Sequence, residues 1–231
     1  MYPAHIRETG ERQTVREHCR NTAALAANAL RPLGLEKSAY LAGLLHDAGK
    51  NKQEYVQYLS EAVSGGNAVR GSVNHTFAGV RFLLDRWHCR EGELSYSDVT
   101  AELLAFAVGS HHGLFDCIDP QQHSGFFHRQ TKEGIFYDES RRGFLAQVAD
   151  EEELECLFHS AVREMTPMLD RLAALSTQAD DNEADRETAF YIGLLARMLL
   201  SAVIEGDRTD TAAFMDNLKP PSFPEDMRPI W

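Results

Sequence analysis

Residues 44–50 read LLHDAGK, and they close a stretch, Ala39-Tyr40-Leu41-Ala42-Gly43-Leu44-Leu45, that is apolar on every side. That composition predicts a helix from about Lys37 to Ala48, buried all round and therefore central, with Gly49 stopping it. A central helix aims adjacent residues at different neighbours, so His46 and Asp47 are polar groups set into the core. An uncompensated buried imidazole or carboxylate costs on the order of several kcal/mol. Any fold this chain adopts must gather partners around the pair.

The remaining pattern is helical. Leucine, alanine and charged residues recur at three- and four-residue spacing, and alternating β-branched runs are nearly absent, which predicts an all-α fold. Thr14-Val15-Arg16-Glu17 has the form of a capping box, so a helix is expected from there to Ala29 or Leu30, ahead of Pro32. Its apolar stripe is Val15, Cys19, Thr22, Leu25, Ala26 and Ala29, and His18 lies on it. A further helix is expected near Asn74, with Ala78, Phe82 and Leu83 inward. Another is expected near Ser97, with Leu103, Leu104, Ala107 and Val108 inward and His111 continuing the stripe before Gly113.

From Leu114 to about Ser140 the period is lost, and the stretch reads as a long irregular surface excursion with one short helix. Its aromatics, Phe115, Phe126, Phe127, Phe136 and Tyr137, either form a satellite cluster under the loop or offer rings for stacked bases. Helical pattern resumes near Arg142, with Glu151–Leu175 and Glu183–Gly206 as the long pieces. The last stripe is Tyr191, Leu194, Leu195, Met198, Leu199, Ala202 and Val203, which places Asp207 at its inward-facing end. A length of 231 residues suits one domain, read here as 1–218. The proline-rich residues 219–231 read as a tail or linker.

Set together, the polar residues on apolar stripes or at helix ends are His18, His46, Asp47, His75, His111, His112 and Asp207. Any one histidine among them reads as a hydrogen-bonded core residue. Seven together imply a cation that offsets their burial. Neutral imidazole nitrogens and carboxylate oxygens suit Mn, Fe, Co, Ni and Zn, and only a carboxylate can bridge two ions, which singles out Asp47.

The order H, HD with a following GK, H, HH and a late D resembles the HD-domain metal-dependent phosphohydrolases. Within them it is most similar to the CRISPR-associated HD nucleases that form the nuclease part of type I nuclease-helicases. The resemblance rests on VREHCRNTAALA, HDAGK, NHTFAGVRFLL, AVGSHHGLF and VIEGDRTDT, and spans about residues 14–212.

It implies an HD-domain helical bundle in which His18, His46, Asp47 and Asp207 hold one divalent ion and Asp47, His75, His111 and His112 hold a second. The ions would be Mn, Fe, Co or Ni, with Mg or Zn as alternatives. Two ions about 3.5 to 4 Å apart activate water and stabilise the attacking and leaving oxygens of an in-line phosphodiester displacement. Simpler members of the superfamily use the H, HD and D elements around one ion. Asp47 and Lys50 carry the catalytic expectation. Lys50 touches the substrate phosphate or the attacking water, the plain alternative being a solvated lysine at a helix C-terminus. Thr76 hydrogen-bonds substrate or merely caps a helix. Arg208 and Asp210 support the ligands or lie on the surface, and His5, His88, His123, His128 and His159 are structural or exposed.

The implied activity is endonuclease, and also exonuclease, on single-stranded DNA in CRISPR interference, with a helicase domain or subunit and the target-bound surveillance complex as partners. A formal charge of −12 opposes a free-standing DNA binder, so weak intrinsic affinity that depends on metal is expected. No GxxxxGK[ST] element occurs, so this chain is not expected to bind ATP through a P-loop. An HD hydrolase of nucleotides or cyclic nucleotides is the alternative, and a metal-stabilised interaction module without turnover a third reading. Cys19, Cys89, Cys117 and Cys156 show no CxxC spacing and no apolar leader precedes them, which reads as a cytoplasmic protein with reduced thiols. The nearest candidate for a membrane span, Phe190 to Ile204, is interrupted by Arg197, so no membrane partner is expected.

Overall fold

The computed structural model describes residues 1–67, 69, 71–89, 91–114, 125–131, 135–176 and 181–218, with the backbone alone for 127, 128, 131, 175, 176 and 181–185. Helix α1 (Val15–Leu30) starts as its capping box requires. The Thr14 hydroxyl accepts the Glu17 N–H at 3.2 Å while the Glu17 carboxylate accepts the Thr14 N–H at 2.9 Å. Such a cap stabilises the helix by about 1 kcal/mol. Val15, His18, Cys19, Thr22, Ala23 and Ala26 face the core, whereas Ala29 of the expected stripe is exposed.

Helix α2 (Glu36–Leu45) is the buried helix that its composition demanded, covered by α1 and by α5, α8 and α9 from farther along the chain. Its first turn is capped from outside. The Glu164 carboxylate accepts the N–H groups of Lys37 and Ser38, each at 2.8 Å, satisfying donors at the positive end of the helix. The helix stops at Leu45, not Ala48. Asp47 leaves helical geometry (φ −113°, ψ 25°) and a short 3-10 turn covers Ala48–Lys50. Gly49 explains the break: its N–H donates to the His75 carbonyl at 3.0 Å, and a Cβ there would collide with that carbonyl.

Helix α3 (Gln53–Val63) was not foreseen. Helix α4 (Phe77–Trp87) begins three residues after Asn74, whose Oδ1 accepts the Phe77 N–H at 3.4 Å. Helix α5 (Tyr96–Ser110) packs on α4 and opens with a second capping box, Ser95 with Asp98, that had passed unnoticed. The excursion contains α6 (Gly125–Thr131) and yields to α7 (Tyr137–Gln147) five residues before Arg142. Phe126 packs on Phe77, with ring centroids 5.4 Å apart, which favours the satellite-cluster reading for that ring. Phe115, His123, the Phe127 and His128 side chains and the tail 219–231 lie outside what is described.

Helices α8 (Glu151–Ser176) and α9 (Asp181–Met215) complete the bundle. Helix α9 runs nine residues past Gly206, the expected end. Gly206 lets it lie against α1, since a Cβ there would come within 2.7 Å of the Thr22 carbonyl oxygen. Leu195, Leu199, Ala202 and Val203 are buried but Leu194 is exposed, because the expected stripe is wider than the face that α1, α5 and α8 cover. By length and composition α9 could cross a membrane, yet its central leucines sit in the protein core. One apolar core joins α1, α2, α4, α5, α7, α8 and α9. The exception to an all-α chain is a hairpin of β1 (Pro3–Ile6) and β2 (Arg12–Thr14), too short to show alternation.

Candidate metal centre

Four separate helices and one loop deliver the polar residues to a single place. α1 brings His18, the break after α2 brings His46 and Asp47, the loop before α4 brings His75, the end of α5 brings His111 and His112, and α9 brings Asp207. They form two groups whose ligand atoms lie within 4.8 Å of one another: His18, His46, Asp47 and Asp207, and Asp47, His75, His111 and His112. Donors held about 2.1 Å from one ion stand roughly 3 to 4 Å apart. In the first group His18 Nε2 is 3.2 Å from Asp47 Oδ2 and 3.2 Å from Asp207 Oδ1, and His46 Nε2 is 3.2 Å from Asp47 Oδ2. In the second, Asp47 Oδ1 is 3.6 Å from His75 Nε2 and 3.8 Å from His111 Nε2. Asp47 thus turns one oxygen to each group.

The imidazoles are oriented through their other nitrogens. Nδ1–H of His46 donates to the Gly43 carbonyl at 2.7 Å, that of His111 to Val108 at 2.7 Å, and that of His75 to Val73 at 3.1 Å. His18 differs: its Nδ1–H donates to the buried Asp210 carboxylate at 2.7 Å, which also accepts from Gln13 at 2.8 Å and Asn21 at 2.8 Å. Each tether leaves Nε2 facing inward as a donor of electrons. Nε2 atoms then meet in pairs, His18 with His46 at 3.2 Å and His75 with His112 at 2.8 Å. Lone pairs that close need a cation or a proton between them. Asp47 Oδ1 and His111 Nε2 are buried with no hydrogen-bond partner among the described residues, a costly arrangement that an ion would relieve. The residues present therefore fit divalent metal.

Electrostatics divide the groups. Burial opposes charge on His46, but the Asp47 and Asp207 carboxylates prevail and raise its pKa to about 10. His18 is raised likewise, burial being outweighed by its bonds to Asp207, Asp210 and Asp47. Burial would lift the two carboxyls, yet Lys50 and His46 hold Asp47, and His18 and His46 hold Asp207, well below the usual range. In the other group burial wins: His75 falls to about 4, His111 well below its ordinary value, and His112 is lowered too.

Lys50 is buried, with Nζ 2.6 Å from Asp47 Oδ2 and 5.4 Å from the Tyr55 ring centroid, so it is not a solvated helix-end lysine. Thr76 is buried beside His75 and makes no side-chain cap; Asn74 caps α4 instead. Asp210 supports His18, and Arg208 is exposed. His5, expected to be structural or exposed, is structural and stands behind the centre: its ring meets the His18 ring edge-on at 4.7 Å and its Nε2 lies 3.3 Å from the Thr211 hydroxyl. Burial lowers its pKa to about 3. Sequence reasoning missed Gln13 and Asn21, and the link of His5 to His18. The i, i+3 spacing of Asp207 and Asp210, one face of a helix, was a usable signal for Asp210; a hairpin residue such as His5 offered none.

A helical bundle that closes H, HD, H, HH and D side chains around a fitted metal centre defines an HD-type metal-dependent hydrolase. Its family is more specific. The family described as Cas3, HD domain, matches residues 5–195, and the chain belongs to it: it is a CRISPR-associated HD-domain nuclease of the Cas3 type. The match takes in every proposed ligand except Asp207, which α9 adds beyond it. No curated protein matches the chain.

Proposed function

We propose that this chain hydrolyses internal phosphodiester bonds of single-stranded DNA with two divalent ions, and that it also degrades from ends. The observation that carries the reading is the division of Asp47: Oδ2 toward His18 and His46, Oδ1 toward His75 and His111. His18, His46, Asp47 and Asp207 would hold one ion and Asp47, His75, His111 and His112 the other, with Mn, Fe, Co or Ni favoured by the donor set. When bound, the ions supply Lewis acidity, which acidifies water and neutralises phosphate charge.

The chain's own groups do the rest. Carbonyl and carboxylate tethers fix the imidazoles of His18, His46, His75 and His111, so these rings lose no rotamer freedom when substrate arrives. Lys50, already oriented by Asp47 and Tyr55, offers its ammonium to a phosphate oxygen. Thr76, next to His75, offers a hydroxyl to the same strand. His112 is exposed and marks the side from which DNA enters.

The net charge of −12 argues that DNA is delivered, not captured. A type I CRISPR helicase and the target-bound surveillance complex, in the cytoplasm, fit that role. The test is incubation with circular single-stranded DNA, and separately with nucleotides and cyclic nucleotides, across a series of Mn, Ni, Co and Mg. Linearised then shortened circles are expected. Nucleotide hydrolysis with the circle intact would replace this reading by the nucleotide-hydrolase one.

A further inference from the structure

Among the largest fully buried side chains of the described residues is a lysine that the chemistry above does not use. Lys52 has no exposed surface. A buried ammonium is costly unless acceptors surround it. Its Nζ donates to the Asn74 carbonyl at 2.8 Å and the Ile135 carbonyl at 3.3 Å, pairs with Glu54 at 2.8 Å, and lies 5.1 Å from the centroid of the Phe136 ring.

The two carbonyls belong to segments outside regular structure, whereas Glu54 stands in the first turn of α3. Asn74 immediately precedes His75, in a loop whose carbonyls have no helical ladder to satisfy them. Ile135 precedes Phe136, which is held at a positive φ of 49°, a conformation that costs about 1 kcal/mol or more for a bulky side chain. The neighbouring residues close the same junction: Gly49 N–H holds the His75 carbonyl at 3.0 Å, and the Gln53 N–H is held by Glu139 of α7 at 2.8 Å. Residues 49–53 therefore grip the His75 loop on one side and the start of α7 on the other. The turn that presents Asp47 is also the platform on which His75 stands.

We propose that Lys52 is the positioning residue for the second ligand group, holding His75 at Asp47 Oδ1 through the Asn74 carbonyl. It touches neither substrate nor metal. The inference rests on the two-ion reading above, and it predicts an effect confined to one ion. His18, His46 and Asp207 sit on α1, the end of α2 and α9, none of which Lys52 holds by a described bond.

The test uses the full chain, stripped and titrated with Mn(II), reading bound metal by equilibrium dialysis and the electron spin resonance of neighbouring Mn ions. Wild type should bind two ions; binding of one at saturation would sink the two-ion reading itself. Given two, Lys52→Met should keep the first with unchanged affinity and weaken the second by about 10- to 100-fold, with loss of the coupled-pair spectrum. His75→Ala should lose the same ion. Lys52→Gln, which retains a donor for the Asn74 carbonyl, should recover part of the second affinity. Two ions at wild-type affinity in Lys52→Met, or equal weakening of both, would overturn the proposal. So would failure of both variants to fold, since Lys52 would then serve the whole fold and not one group.

Discussion

The two ligand groups share Asp47 and little else. The first seals its imidazoles: His18 and His46 are fully buried, Asp207 alone keeps 17% side-chain exposure, and two carboxylates face two imidazoles. The second opens outward through an imidazole: His112 is exposed, His75 is half-buried, and three imidazoles face one oxygen of a shared carboxylate. Without metal the first group can hold protons in the cation's place, as the pKa of about 10 at His46 expresses. The second cannot, and His75 and His111 stay neutral and repel protons. Proximity of ligands is therefore one property, and the means by which a site tolerates an absent cation is another.

The sharpest way to break this comparison is to remove what is shared. Asp47→Ala should cost both ions together and on the order of 10³-fold in cleavage, several kcal/mol of transition-state stabilisation. Elemental analysis with a single-strand cleavage assay checks it, and retention of one full equivalent of metal would contradict the bridge. Next, His18→Ala and His75→Ala should each lose one ion, the first from the sealed group and the second from the open one. Metal titrations in which both variants lose the same ion would erase the distinction.

A smaller effect tests how the sealed group is held. Asp210→Asn leaves the bulk but removes the charge behind His18, and should weaken the first ion by about 10- to 100-fold while sparing the second. Calorimetric titration reads both sites.

The smallest effect is in pH. His46 has a folded-state pKa above its unfolded value, so its contribution to metal-free stability is full below about 6.5 and disappears as pH rises toward 10. His75 is lowered to about 4, so the unfolded chain binds the extra proton and stability falls as pH drops below about 6.5 toward 4. Urea unfolding of metal-free protein should show His75→Ala losing less stability than wild type between pH 7 and 5, and His46→Ala losing less between pH 7 and 9. Parallel curves for all three proteins would show that the groups do not differ in this way.

Much of this was legible in the chain because it is local. Thr14 with Glu17 announces α1, the apolar run before His46 announces a central helix, and the order of histidines carries the family. What escaped reading depends on distance. The hairpin of residues 3–14 brings His5 and Gln13 against α1 and α9 although nothing in its few residues alternates clearly. Lys52, two residues from the most recognisable motif, shows no local sign of burial, which comes from the distant carbonyls of Asn74 and Ile135. The end of α9 was placed at a glycine that in fact marks where two helices touch.

By itself, then, the sequence determined that the chain is helical, which helix is central, and which side chains are fit to bind metal. These follow from periodicity, capping and donor chemistry, which act over a few residues. Only the tertiary structure decided which oxygen of Asp47 faces which imidazoles, which groups stand behind four of those rings, and that one half of the centre buries its imidazoles while the other exposes one. Those are matters of burial and of fine spacing between distant segments, His18 and Asp210 being 192 residues apart, and no local pattern encodes them.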